Sequence, residues 1–571
     1  MVETIIDTGH RKGRMEALHP EKKGGLRGLT QNQYVLWTAV FASIGGFLFG
    51  YDQGVMSNLL TTENFGSQFP RIYSNEDVKG WIVSVLQLGA WFGALCNGPI
   101  AQRYSRRYSM MIAVVLFCFG SSLQAGSQSE SYIFAGRFFA GMAIGALSHV
   151  VPMYQSEIAP AEIRGSLVSL QQFAITIGIL VAFWLDYGFH FIGGVHCDAR
   201  GTANYSGPGN TFDPYHDVPS GGCTGQSPIS WRVPLALQLL PALILGVGML
   251  FFPFSPRWLM LQGREAEALA VVSKLRRRPE NDPAVRLEWL EIKAMVRFDR
   301  ETAVERFPGK TGWRLGLAGY GTFFTRAGLF RRLAVGCVLQ FFQQFSGINA
   351  IIYYAPTIMS SLGLDPATTS LLATGVVGVI NVVFTIPAIL FLDVLGRRKT
   401  LLFGAIGMCI SHIIVASILG VYANSFAEHP GAGWAGVAFI YIFIANFAYS
   451  WGPVGWVLPS EIMPLSIRSK AMIGRATPSM IRDIKYGTYI FFAAFCALSA
   501  AWVYFFCPET KNKTLEEMDI VFKDNSSAED AERMKKVNRE IGLDDSTDSA
   551  GNSGASQPTE VMEHEEKVEE V

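Results

Sequence analysis

Long apolar runs separated by short polar ones set the pattern of this chain. They fall near 36–58, 80–101, 110–126, 132–153, 167–187 and 232–253, and again near 333–354, 371–392, 400–422, 434–458 and 488–507. A spanning helix needs about 20 mainly apolar residues, so these eleven runs predict membrane helices. Between the two groups lies a polar stretch, 255–332, whose patterns over Glu265–Arg276 and Leu287–Phe298 predict short amphipathic surface helices. The expected protein is all-α and polytopic. A tail over 1–33 leads into a first bundle, 34–254, with an outer loop at 188–231. The linker 255–332 joins it to a second bundle, 333–507, and an acidic, Ser-rich tail over 508–571 is expected to be disordered.

Basic residues sort to one side of this pattern. They cluster in the N-terminal tail, at Arg103, Arg106 and Arg107, at Arg164, through the linker, at Arg397, Arg398 and Lys399, and at Arg468 and Lys470. The alternate loops, including 188–230 and 423–433, are poor in Lys and Arg. By the positive-inside rule the N-terminus and the linker are cytoplasmic. Residues 1–33 hold no apolar core, so the first span is expected to act as the insertion signal.

The two halves repeat one another. Ser156-Glu157-Ile158-Ala159-Pro160 with Arg164 matches Ser460-Glu461-Ile462-Met463-Pro464 with Arg468, and Arg106-Arg107 matches Arg397-Arg398 in the same order. Two homologous bundles with a site between them is a transporter architecture. The repeat also exposes a gap. Two spans follow the first Ser-Glu-Ile motif but only one follows the second, because 470–486 carries five charges and a Pro. One helix of the second bundle is missing or cut short.

Composition supports the membrane reading. The chain has 571 residues, 50% hydrophobic and 16% charged, with mean hydropathy +0.25 and net charge zero. Soluble domains carry about 25% charge, and the balance implies a lipid bilayer and no nucleic-acid partner. Six of the eight cysteines lie in or beside apolar runs. Cys197 and Cys223 share the outer loop and are a plausible disulfide if it faces outward; Asn204-Tyr205-Ser206 between them is a glycosylation sequon.

The stretch most charged with chemistry is Gln340 to Asn349, with Gln343, Gln344, Ser346 and Gly347, followed by Tyr353, Tyr354 and Pro356. An unpartnered amide in hydrocarbon costs several kcal/mol. Amides both donate and accept, which suits a ligand made of hydroxyls; they can equally bond neighbouring helices. Both readings stand on the residues alone. Gly347 marks a place where the helix can bend.

Taken together, the motifs resemble the sugar porter family of the major facilitator superfamily, over about residues 34–520. The carrying residues are Gly50-Tyr51-Asp52, Gly136-Arg137, Pro152-x-Tyr154-x-Ser156-Glu157, Ser255-Pro256-Arg257-Trp258, Gln343-Gln344-x-Ser346-Gly347-x-Asn349, Asp393-x-x-Gly396-Arg397-Arg398, Gly452-Pro453-x-Gly455-Trp456 and Pro508-Glu509-Thr510. The closest feel is that of fungal monosaccharide–proton symporters. The resemblance implies two pseudo-symmetric six-helix bundles working by alternating access, here with the eleventh span truncated, and one chain as the functional unit. It implies a small sugar as substrate, a hexose such as glucose first, with a proton as coupling ion and a plasma-membrane location.

Carried over by residue, the resemblance makes Gln172, Gln343, Gln344, Asn349 and Asn381 hydroxyl contacts. Trp456 and Phe447 become the aromatics beside the sugar ring, and Tyr353 and Tyr354 the outer gate. Asp52 and Arg137 become the proton-coupling pair, against which a static buried ion pair is the other reading. Arg106, Arg107, Glu157, Arg164, Asp393, Arg397, Arg398, Glu461 and Arg468 become a cytoplasmic latch between the bundles.

Three departures stand out. Gln102 and Phe254 replace acidic residues usual in the family, which predicts a weaker first-half latch. After Met472 about 15 residues of the eleventh span are absent by the span-length argument. Eleven spans would carry the C-terminal tail outside, yet Lys511 and Lys513 after the last span point to a cytoplasmic tail, and a defective carrier or a non-transporting sugar receptor is the rival reading. Pentose, polyol and quinate carriers share the frame. No nucleophile–base set, phosphate loop or metal spacing is present, so no cofactor is expected and an enzyme is set aside.

Overall fold

A computed structural model describes residues 32–160, 164–198, 205–207, 212–309, 321, 327–364, 367–422, 425–426, 428–462, 485–510, 533 and 536–541. Eleven of its helices are long and apolar enough to cross a membrane. We number them in chain order: span 1 Gln33–Leu59, span 2 Glu76–Tyr104, span 3 Arg106–Ala125, span 4 Glu130–Ile158, span 5 Leu167–His190 and span 6 Ile229–Gly248. After the linker come span 7 Gly328–Ser361, span 8 Thr369–Leu390, span 9 Arg397–Tyr422, span 10 Pro430–Pro459 and a final span, Gly487–Phe506. Large apolar side chains such as Val115, Phe251, Phe403 and Phe505 point outward, as a lipid-facing surface requires.

The spans pack into two groups. Span 4 lies on spans 2 and 3 and span 1 on span 5 in the first; span 9 lies on span 10 and the final span in the second. Small residues bring backbones close: a β-carbon at Gly50 would lie 1.9 Å from the Ile175 carbonyl oxygen, so only glycine lets spans 1 and 5 cross there. The groups meet where span 5 packs on spans 8 and 10, and where the outer half of span 7 packs on span 1.

At the linker face, Arg332 Nη1 at the start of span 7 donates to the Ile462 carbonyl at 3.1 Å. The backbone N–H groups of Arg397 and Arg398 donate to Glu509, just beyond the final span, at 2.9 and 3.1 Å. Span 10 therefore ends, and the final span ends, on the same face. A 20-residue helix that ends there begins on the opposite face. These bonds put the start of the tail on the face that carries the linker. The shortened eleventh span itself lies outside the described residues.

The linker forms helices Pro256–Leu261, Glu265–Arg276 and Pro283–Arg306. The tail, expected to be disordered throughout, is helical over 536–540 and docks on the third of these. Arg297 bonds Glu540 and Arg533 bonds Glu305, each at 2.6 Å, around a fully buried Val537. The apolar anchor is what the composition of the tail hid.

Gly347 divides span 7 into Ala327–Phe345 and Ile348–Ser361 with φ +92°. A β-carbon there would be strained and would lie 2.8 Å from the Phe492 ring. Gly347→Ala should cost about 1–3 kcal/mol, seen as a lower thermal unfolding midpoint in detergent; an unchanged midpoint would contradict this geometry.

Candidate functional site

Two broken helices face each other in the second bundle. Span 7 breaks at Gly347 and bends again at Tyr354, just before Pro356. Span 10 breaks at Ser450 (φ −117°, ψ −84°), between Pro430–Tyr449 and Trp451–Ile462. A break frees backbone carbonyls where no water competes, and each needs a donor. His412 Nε2 lies 2.9 Å from the Ser346 oxygen; a carbonyl only accepts, so that nitrogen carries the proton. Gln343 Nε2 donates to the Trp451 carbonyl at 2.8 Å. Gln340 Nε2 donates at 2.6 Å to Gly455, whose helical partner four residues on is Pro459 and has no N–H.

The aromatic and amide candidates gather on this frame. Trp456 Nε1 donates to Gln172 Oε1 at 2.6 Å, a bond from span 10 across to span 5. Gly452 and Gly455 leave span 10 bare, so the Gln172 and Gln343 amides lie against its backbone. Phe447, also buried, packs beside Gly452. Gln344 and Asn349 are half-buried and hydrogen-bonded to each other across the Gly347 break. Asn381 is buried on span 8 with Oδ1 lacking a protein partner. It lies one turn from Gly378, which packs on Leu180 of span 5.

In the first bundle Arg137 Nη1 donates to Asp52 Oδ2 at 2.9 Å, both side chains 0% exposed. Arg137 Nε donates to the Ile82 carbonyl at 3.3 Å. Asp52 Oδ1 and Arg137 Nη2 have no protein partner. Tyr353, from span 7, is buried in the same core as Tyr51, Val55 and Met56, within electrostatic reach of Asp52 and Arg137, and Tyr354 packs at the edge of that core.

A family model described as sugar (and other) transporter matches residues 38–522. This chain belongs to the sugar transporter family. A major facilitator glucose transporter of Aspergillus flavus is 33% identical over 533 residues, 88% of this chain and 93% of that one. A probable quinate permease of Aspergillus niger is 34% identical over 517 residues, covering 86% and 88%. Among solved structures, the proton:xylose symporter XylE bound to 6-bromo-6-deoxy-D-glucose superposes with TM-score 0.63 at 29% identity, covering 86% of this chain and 99% of that one. The partially occluded inward-open form of XylE from E. coli gives 0.61 at 29% identity, covering 85% and 100%. This sugar porter has the major facilitator fold and is a multi-pass transporter, not an enzyme.

Other candidate residues of the transporter are placed differently from the expectation. Arg106 pairs with Glu157 at 2.7 Å, and Arg107 donates to the Phe252 and Leu250 carbonyls at 3.2 and 2.6 Å. Arg398 donates to Tyr504 within the second bundle. These four residues therefore tie each bundle to itself, where the expectation was bonds between bundles. The physical reason is reach: each guanidinium meets the nearest acceptor of its own bundle. Arg397 bonds Glu509 through its backbone. Arg164, Asp393 and Glu461 begin or end helices, but their side chains, like all of Arg468 and Asn204, lie outside the described residues.

Cys197 and Cys223 form a disulfide in the outer loop. Beside it is a hub that the sequence reading missed. Glu63 accepts from the Cys197 N–H at 2.6 Å and the Tyr205 hydroxyl at 2.7 Å, and lies 3.1 Å from His196 Nδ1. Burial and Glu63 push the Tyr205 phenol up, so it remains a donor. Its signal was Thr62-Glu63 opening a short helix, Glu63–Gln68, in a loop otherwise read as a connection.

The bond from His412 to the Ser346 carbonyl makes its own prediction. His412→Phe should cost about 1–3 kcal/mol by leaving that carbonyl unpaired, and His412→Gln should recover part of it. Equal thermal midpoints for both variants would show that the bond contributes nothing.

Proposed function

We propose that the transporter takes up a monosaccharide, a hexose such as glucose, together with a proton. It does so by alternating access, as a single chain in the plasma membrane with its N-terminus cytoplasmic. The observation that carries this reading is the fully buried Asp52–Arg137 pair seated against Tyr353. An ionised side chain at mid-membrane costs roughly 2.5–3.5 kcal/mol, so the pair persists for structure or for work. Protonation of Asp52 removes the charge that holds Arg137. The contact of span 7 with span 1 is then free to change, which couples proton binding to the outer gate.

The sugar lies between Gln172 on span 5, the amides of span 7 and Trp456 on span 10, with Phe447 and Trp456 presenting faces to ring C–H groups. Gln343, Gln344, Asn349 and Asn381 supply donors and acceptors to hydroxyls. All seven side chains are uncharged, which suits a neutral sugar; the carboxylate of quinate would find no counter-charge among them. Tyr353 and Tyr354 close the outer end. Xylose and glucose are the sugars named for relatives at comparable identity, and pentoses are tested beside hexoses.

Two results test the proposal. In cells lacking their own hexose carriers, Asp52→Asn should abolish concentrative uptake while sparing sugar exchange; unaltered accumulation sinks the coupling. Gln172→Ala and Trp456→Ala should each raise the KM for the transported sugar roughly tenfold or more, by loss of about 1.4 kcal/mol of binding. An unchanged KM in both would move the sugar elsewhere.

A further inference from the structure

Span 5 carries a second carboxylate that the Asp52–Arg137 pair does not use. Asp186 is 5% exposed, and its Oδ2 has no protein partner. One turn further out on the same face, His190 is equally buried, with Nε2 unpartnered and Nδ1 3.5 Å from Gln226 Nε2. Spans 1 and 5 run side by side in register: Gly50 backs on Ile175, and Gly54 on Ile179 and Ala182. The next turn of span 1, Ser57 and Asn58, therefore meets span 5 at the level of Asp186. Ser57 Oγ and both amide atoms of Asn58 are buried and also without a protein partner.

More than nine in ten buried polar groups are hydrogen-bonded, and here five atoms without a protein partner fall on neighbouring turns of two helices. Together they form a polar seam between spans 1 and 5. A carboxyl buried among uncharged polar groups can take up a proton and pass it on. The seam leads to Asp52 through its neighbour Tyr51, which lies within electrostatic reach of Asp186 and donates to the Pro234 carbonyl at 3.0 Å. Outward it leads through Gln226, which accepts from the Asn64 N–H, to the half-exposed His196 beside Glu63. The titratable groups facing it are thus Tyr51, His190 and, at its mouth, His196 and Glu63. Arg232 of span 6 is turned away to Gln68 and Ser127.

We propose that Asp186 is the proton-entry residue of the transporter, carrying protons along the seam of spans 1 and 5 between the outer face and Asp52. The inference rests on the proton-symport reading above. A hydronium at the outer face gives its proton to the Asp186 carboxylate. Asp186 then releases a proton along the seam to Asp52, which gives it up when it pairs again with Arg137.

The test uses the full chain in cells lacking their own hexose carriers, with sugar-driven alkalinisation of the medium and sugar exchange both measured. Asp186→Asn should slow alkalinisation roughly tenfold at mildly acidic pH and leave exchange within about twofold, since proton delivery fails but sugar binding does not. Strong acidification should restore part of the Asp186→Asn rate but none of the Asp52→Asn rate, and Asp186→Glu should stay close to the parent. Unchanged alkalinisation in Asp186→Asn overturns the assignment. So does loss of exchange in both Asp186→Asn and Asp186→Glu at normal surface abundance, which marks a structural role. If the parent chain itself takes up sugar without alkalinisation, the symport reading fails first, and this inference with it.

Discussion

A backbone carbonyl released inside hydrocarbon must find a donor, and the second bundle is arranged around that requirement. The breaks at Gly347 and Ser450 let spans 7 and 10 bend at the depth of the candidate site. Two carbonyls that lack a helical N–H are taken by side chains from another helix, Ser346 by His412 and Gly455 by Gln340, and Gln343 adds a bond to Trp451 beside the second break. A transporter needs helices that bend, and bending in lipid is tolerable only with these substitute donors. The same amides that hold the backbone are those proposed to meet the hydroxyls of the sugar. A ligand hydroxyl that displaces one of them can change the bend itself.

The bundles solve one end-anchoring problem with different chemistry. In the second, Glu509 accepts the N–H groups of Arg397 and Arg398. In the first, Phe254 stands in the corresponding place, and the guanidinium of Arg107 lies over its ring at 4.9 Å. Phe254 in turn stacks on Trp258, whose indole donates to Gln102. Cation–π attraction replaces part of what an acidic partner supplies. The departures at Gln102 and Phe254 therefore change the kind of anchor and do not remove it.

Much of this was legible because membrane helices announce themselves by length and hydropathy, and the paired motifs fix their order. The break at Gly347 was legible too, since a glycine beside polar residues in an apolar run has few other uses. Partnerships were not. Nothing in the spacing of Gln340 or His412 says which carbonyl each serves, because that depends on a crossing between distant helices. The tail helix was hidden for the opposite reason: one buried Val537 among charges leaves no compositional trace. Asp186 was passed over because its run reads as apolar, and its neighbours Ser57 and Asn58 lie on another helix.

Pseudo-symmetry shows what the short second half leaves unbalanced. The paired motifs relate span 2 to span 8 and span 5 to the eleventh span, which lies outside the described residues. In the structure span 5 packs on span 8, so symmetry assigns the face of span 2 to the eleventh. That face carries Trp81, Leu88, Trp91, Phe92 and Leu95, all exposed. Their bulk is tolerable in lipid, so the loss of a partner there costs contact area without exposing polar atoms. The seams that hold the candidate sugar and proton residues, span 5 with spans 8 and 10 and span 1 with span 7, lie on the other side and are complete.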